Sequence, residues 1–121
     1  MKIKMKSEEK SFTIGRLDII DLFGWHQDEK LVYKTYFQRQ AVWRNRDRED
    51  LIDTIMLDLP IPAIFICNAD MDIDEIKKKY NVLDGRQRLE SIFMFLNNEF
   101  TYKGKYFKDL EQREKKTNFK L

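Results

Sequence analysis

The segment Asp84-Gly85-Arg86-Gln87-Arg88 contains the residue types that bind phosphate. A short apolar run before it predicts a strand, and apolar residues at helical spacing follow it. Glycine lets the backbone approach an anion closely, and the first N–H groups of a helix point at such an anion. Two arginines in the first turn offer planar donors that match phosphate oxygens. The residues therefore predict a phosphate site where a strand meets a helix.

The alternative is an ordinary helix start, in which Asp84 is the N-cap and the arginines are solvated. Arginines in a first turn oppose the helix dipole, which weakens that interpretation. In the phosphate interpretation Asp84 could orient an arginine, hold Mg²⁺ through water, or position an attacking water.

Two amphipathic helices and several short β-prone runs predict an α/β fold with a small mixed sheet and packed helices. The first helix is expected over 46–59, capped by Asn45 and stopped by Pro60 and Pro62. The second is expected over 86–97. The remaining elements are a strand and helical turn within 12–22, strands at 31–33, 63–67 and 80–83, and a hairpin around Gly104.

Composition places the chain among globular proteins of one core: 121 residues, 36% of them charged, with a net charge of +2. Residues 101–121 carry seven basic and three acidic residues, and basic ends could touch a polyanion, although solvated termini explain them too. No apolar run approaches the ~20 residues of a membrane span. The single cysteine, Cys67, suits a reducing cytoplasm. His26 has no ligand partners at zinc spacing, so no metal site is expected beyond Mg²⁺ at Asp84.

An ordered set of motifs resembles the N-terminal domain of GmrSD-type restriction proteins. The set is Gln38-Arg39-Gln40-Ala41-Val42-Trp43, Leu59-Pro60-Ile61-Pro62, Val82 to Leu89, and Phe95 to Phe100. The resemblance covers roughly Phe12 to Leu110. It implies a ParB/sulfiredoxin-like fold, in which a Gly-x-x-Arg spacing binds nucleotide phosphate, and Gly85 and Arg88 match that spacing. Sulfiredoxins have a reactive cysteine between those positions, so redox chemistry is not expected here.

The family signature usually reads Asp-Gly-Gln-Gln-Arg, and Arg86 replaces its first glutamine. This adds a charge suited to phosphate. Gln87 remains, and a glutamine can orient a water for attack on phosphate, although a surface helix residue is an equal alternative. Arg39 is a second candidate for phosphate. Gln38, Arg39 and Arg44 are candidates for DNA contact.

The resemblance implies a nucleotide-binding domain of a cytoplasmic phage-defence protein. Its expected ligands are a nucleoside triphosphate and Mg²⁺, and the complete protein could hydrolyse the nucleotide. The alternatives are a ParB-like module that binds DNA or senses its modification, and a fragment or regulator with no ligand. Partner regions would be helical or nuclease domains, on this chain or another. No nuclease activity is expected here, because no His-Asn-His arrangement occurs.

The expected domain organisation is a flexible N-terminal segment at 1–11, a ParB/sulfiredoxin-like domain at 12–110, and a C-terminal tail at 111–121 that starts a further region. Apolar side chains late in the chain, Phe107, Leu110, Phe119 and Leu121, are expected to have little to bury against.

Overall fold

The computed structural model describes residues 2–6, 12–33, 42–68 and 78–119. By its internal contacts the chain divides into two compact units. The first comprises Met1–Gln40 and Pro62–Arg86, and the second comprises Ala41–Ile61 and Gln87–Leu121.

The first unit contains a five-stranded mixed sheet. Its strands are β1 (Lys2–Lys6), β2 (Phe12–Arg16), β3 (Leu31–Tyr33), β4 (Ile64–Asn68) and β5 (Tyr80–Asp84), in the order β2-β1-β4-β5-β3. Strand β1 is antiparallel to β2 and parallel to β4, whereas β5 is antiparallel to β4 and parallel to β3. The predicted α/β class with a mixed sheet is confirmed.

Helix α1 (Ile19–Gln27) belongs to the same unit. Ile19 and Leu22 are buried, and the Trp25 ring stacks on Tyr80 of β5 at 4.3 Å between centroids. The helix ends where Glu29 adopts a φ of 58°, and the N–H of Tyr80 then donates to the carbonyl of Lys30. These contacts attach α1 and the start of β3 to β5.

The first residues were expected to form a flexible segment, and this was wrong for Lys2–Lys6. They form β1, an inner strand between β2 and β4, and Ile3 is buried. Ile3 and Met5 alternate with lysines, which is the period of a strand with one buried face. With only two apolar residues, that alternation is too weak a signal to identify a strand from sequence.

The second unit is helical within the described residues. It contains α2 (Asn45–Met56), α3 (Arg86–Leu96, whose first residue ends the first unit), a 3₁₀ turn at Phe107–Asp109, and α4 (Gln112–Phe119). The expected amphipathic character of α2 is confirmed for Leu51, Ile52 and Ile55, which are buried, whereas Leu59, beyond the end of the helix, is 55% exposed. The helix ends three residues before position 59 because Asp58 takes a left-handed φ of 54°.

The end of the chain is not the polar tail that the sequence suggested. Helix α4 brings Phe119 into contact with two rings, at 5.8 Å from Phe95 and 5.4 Å from Phe107, and Phe119 and Leu110 are buried. The expectation that these side chains lack a partner was wrong, because a single apolar residue can anchor a short, mostly charged helix. Leu121 lies outside the described residues.

Within the described parts of the chain, no helix has both the length and the apolar character needed to cross a bilayer.

Candidate functional site

The structure places Gly85 between the end of a strand and the start of a helix. Strand β5 ends at Asp84, and α3 begins at Arg86. Gly85 is buried and has a φ of 101°, a conformation that residues with a Cβ atom rarely adopt. The predicted strand–glycine–helix junction is therefore confirmed, and glycine is required there by the backbone.

A β-bulge lies directly before this junction. Phe65 of β4 pairs with Asp84, and the next residue, Ile66, pairs with Val82. Strand β5 thus contributes one extra residue, Leu83, between these two pairs. Such a bulge bends the strand and turns the following side chains, and bulges are common beside functional sites. Asp84 follows the bulge and its side chain is exposed.

The first turn of α3 contains the three polar residues of the motif. Arg86, Gln87 and Arg88 are its first three residues, and each is half-buried. The first N–H groups of an α-helix lack partners within the helix and carry partial positive charge. No acidic residue occupies this first turn. The helical N–H groups and the two arginines thus contribute positive charge at this turn, and the exposed Asp84 carboxylate lies directly before it.

Arg86 contacts an aromatic ring at the edge of the sheet. Its guanidinium carbon lies 5.5 Å from the ring centroid of Tyr33, the last residue of β3. Because β3 and β5 are parallel, Tyr33 and Asp84 lie at the same carboxyl edge of the sheet. Ligands of α/β proteins commonly bind outside the carboxyl ends of parallel strands.

A histidine extends this edge. The His26 ring lies edge-on to Tyr33 at 6.5 Å and stacked near Phe23 at 6.4 Å. Neither Tyr33 nor His26 could be recognised from the sequence as a neighbour of this junction. Strand β3 has only three residues and no signal of its partner, and His26 has no ligand partners at zinc spacing.

Gln87 is joined to the second motif of the chain. The backbone N–H of Trp43 donates to its Oε1 at 3.4 Å, and Ser91 donates its hydroxyl to the Gln87 carbonyl at 2.7 Å. Trp43 is half-buried. The carbonyl oxygen of the Gln87 side chain is thus already an acceptor, whereas its amide group provides two donors.

Of the three residues predicted to contact DNA, the structure describes only Arg44. Gln38 and Arg39 lie outside the described residues. Arg44 precedes α2 with its side chain 84% exposed, and its Nε lies 3.9 Å from Asp47 Oδ2. The Asp47 carboxylate also accepts the Arg44 N–H at 2.9 Å, which replaces the cap predicted at Asn45. Among the described residues, no three acidic, histidine or cysteine side chains are grouped to hold a metal.

The fold and this junction define a mixed α/β protein with an arginine-bearing turn between a bulged strand and a helix. The family model described as the N-terminal domain of the GmrSD restriction endonuclease matches residues 19–121. The chain belongs to this family of restriction-type, phage-defence proteins, which confirms the resemblance read from its motifs. No significant match was found among curated proteins or among solved structures.

Proposed function

We propose that this chain is the nucleotide-binding domain of a GmrSD-type phage-defence protein. The phosphates of a nucleoside triphosphate would bind at Asp84–Arg88. The observation that carries the proposal is the left-handed Gly85 immediately before the first turn of α3. Such a residue followed by helical N–H groups forms a concave set of donors suited to an anion.

The arginines would contribute differently to this site. Arg88, at the third position of α3, matches the arginine of the Gly-x-x-Arg spacing and would contact phosphate oxygens directly. Arg86, beside Tyr33, would add positive charge at the carboxyl edge of the sheet. The first turn of α3 contains no acidic residue, so no carboxylate within that turn competes with phosphate for its N–H groups.

Mg²⁺ would arrive with the nucleotide rather than occupy a site built from protein ligands alone. Mg²⁺ commonly takes one or two carboxylates, several waters and substrate phosphates. Asp84 is exposed beside the proposed site and suits that role. Asp84 would position a water for attack on the γ-phosphorus. The P–O bond to the β–γ bridging oxygen would break, giving nucleoside diphosphate and inorganic phosphate. A restriction-type domain that uses nucleotide would act in the cytoplasm.

The test is titration of a fluorescent nucleoside triphosphate with and without Mg²⁺. Arg88→Ala removes a charge-assisted contact that contributes about 1.5–3 kcal/mol, so affinity should fall roughly ten- to hundred-fold. Arg113→Ala is the matched control, since Arg113 is an exposed arginine in the first turn of α4. It should leave affinity nearly unchanged. Equal affinity of wild type and Arg88→Ala would refute the site, as would absence of binding by the wild type at millimolar nucleotide.

A further inference from the structure

A tight turn in the second unit presents lysines in a fixed arrangement. Tyr102 and Lys105 exchange two backbone hydrogen bonds, of 2.8 and 3.0 Å, across Lys103 and Gly104. Lys103 has a φ of 47° and Gly104 a φ of 77°, as in the two-residue turns that favour asparagine or glycine at both positions. Lysine at the first position costs free energy, and backbone strain of this kind clusters at functional sites.

The lysines of this turn form no ion pairs with carboxylates among the described residues, although Lys103 lies near the Tyr102 hydroxyl that binds Asp53. Lys103, Lys105 and Lys108 are exposed, and none forms a salt bridge within the described residues. Two of their ammonium groups lie over aromatic rings instead. Lys103 Nζ is 5.3 Å from the ring centroid of Tyr102, and Lys108 Nζ is 5.7 Å from the ring centroid of Tyr106. A cation over an aromatic face keeps its charge and remains open to an anion on its other side.

The aromatic rings position these lysines rather than offering free stacking surfaces. The Tyr102 hydroxyl donates a hydrogen bond to Asp53 of α2, and this fixes the ring to the helix. Its face is then covered by Lys103. Tyr106 is 39% exposed, but Lys108 lies over it. A ligand at this surface would therefore meet ammonium groups first.

We propose that this turn surface, comprising Tyr102, Lys103, Lys105, Tyr106 and Lys108, binds the phosphodiester backbone of a nucleic acid without reading its sequence. Lysine is a compact point charge without the planar fork that recognises a base edge or a single phosphate. Lysine is also depleted at protein–protein interfaces, which argues against an acidic protein as the partner. No acidic residue occurs within 102–108, whereas Asp109 and Glu111 bound the surface on one side.

The proposal is independent of nucleotide binding at Asp84–Arg88. It is tested with the full chain by fluorescence anisotropy, using labelled duplex and single-stranded oligonucleotides of two unrelated sequences. The variant Lys103→Ala/Lys105→Ala/Lys108→Ala removes the three charges. The control, Lys30→Ala/Lys78→Ala/Lys79→Ala, removes the same number of lysines from the first unit, where Lys78 is exposed and Lys30 and Lys79 are half-buried. Thermal unfolding of each variant checks that the fold is retained.

For duplex DNA each lost phosphate contact should lower the slope of log affinity against log salt by about 0.9. We expect the magnitude of this slope to be smaller by about 2–3 for the turn variant than for the wild type. At low salt, the affinity of the turn variant for DNA should fall by more than about tenfold, and by the same factor for both sequences. The control variant should lose less than about threefold.

Several results would overturn the proposal. These are no binding by the wild type, equal losses in both triple variants, or a strong preference between the two sequences. Binding of single strands alone that is abolished by Tyr106→Ala would also overturn it, because base stacking rather than backbone charge would then carry the interaction.

Discussion

The backbone N–H of Trp43 donates a hydrogen bond to Oε1 of Gln87, and this contact joins the two segments that carry the family motifs. Its length of 3.4 Å is near the limit for such a bond, so its contribution is modest. It nevertheless gives Gln87 a positioning role that the sequence did not reveal. The side-chain oxygen orients the entry to α2 while the amide group remains on the first turn of α3.

Gln87→Ala should loosen the Trp43 segment. Losing a hydrogen bond of about 0.5–1 kcal/mol should speed hydrogen exchange of the Trp43 amide roughly two- to fivefold. Gln87→Glu keeps an acceptor oxygen at the same distance from the backbone and should retain most of the protection of the Trp43 amide against hydrogen exchange. Exchange of the Trp43 amide followed by NMR compares the two. If both variants left its rate unchanged, Gln87 would not hold this segment.

Replacing Gly85 with alanine should destabilise the chain. A Cβ atom in the left-handed region costs about 1–2 kcal/mol, and Gly85 has a φ of 101°. Gly24 is the matched control, because it lies within α1 and a Cβ there meets no atom within 4 Å. Gly24→Ala should stabilise by about 0.5–1 kcal/mol. Urea unfolding measures both changes, and a loss of stability in Gly24→Ala alone would contradict this account of the two positions.

The contact between Tyr33 and Arg86 should support nucleotide binding. Cation–π pairs that are not fully desolvated contribute about 0.5–1 kcal/mol, and both residues here are half-buried, so Tyr33→Leu should weaken binding roughly two- to fivefold by releasing the guanidinium. Tyr33→Phe keeps the ring and should bind like the wild type. The nucleotide titration measures both. Tighter binding by Tyr33→Leu would mean that the ring competes with phosphate for Arg86.

The hydrogen bond from Tyr102 to Asp53 should give a pH-dependent contribution to stability. Burial, and then the hydrogen bond to Asp53, raise the pKa of Tyr102 above its usual value of 10.0. A raised pKa means that the folded state favours the protonated phenol. The contribution is therefore fully present below pH 10 and is lost as pH rises through the folded-state pKa.

Tyr102→Phe should lower the free energy of unfolding at neutral pH by about 1–2 kcal/mol, a value that allows for the partial exposure of the ring. It should also reduce the loss of stability that the wild type shows as pH rises above 10. Tyr106→Phe is the control and should keep the decline of the wild type. Denaturant unfolding between pH 7 and 11 provides the measurement. An unchanged alkaline decline in Tyr102→Phe would show that other groups cause it.

The sequence predicted β5 and α3 to within one residue at each end, because an apolar strand, a glycine and a helical stripe follow one another without interruption. Strand β1 and helix α4 were missed since charged residues dominate both, and one or two apolar anchors decide their burial. Local pattern contains little information about such elements.

The neighbours of the site could not be predicted in the same way. The contact of Tyr33 with Arg86 depends on parallel pairing of β3 with β5, and that of Trp43 with Gln87 depends on a side chain reaching a distant backbone. Both arise from tertiary structure. The motif identified which residues matter, and the fold determined what each of them touches.

The most direct test of the central proposal is NMR mapping of backbone amides while a nucleoside triphosphate with Mg²⁺ is added to the full chain. If phosphates bind at this helix start, the largest saturable shifts should occur at the amides of Gly85, Arg86, Gln87 and Arg88. Arg88→Ala should move the midpoint of those shifts to roughly ten- to hundred-fold higher nucleotide. Amides of Lys103–Lys105 provide an internal reference and should shift less. Shifts confined to that turn, or none at 85–88 at millimolar nucleotide, would contradict the proposal.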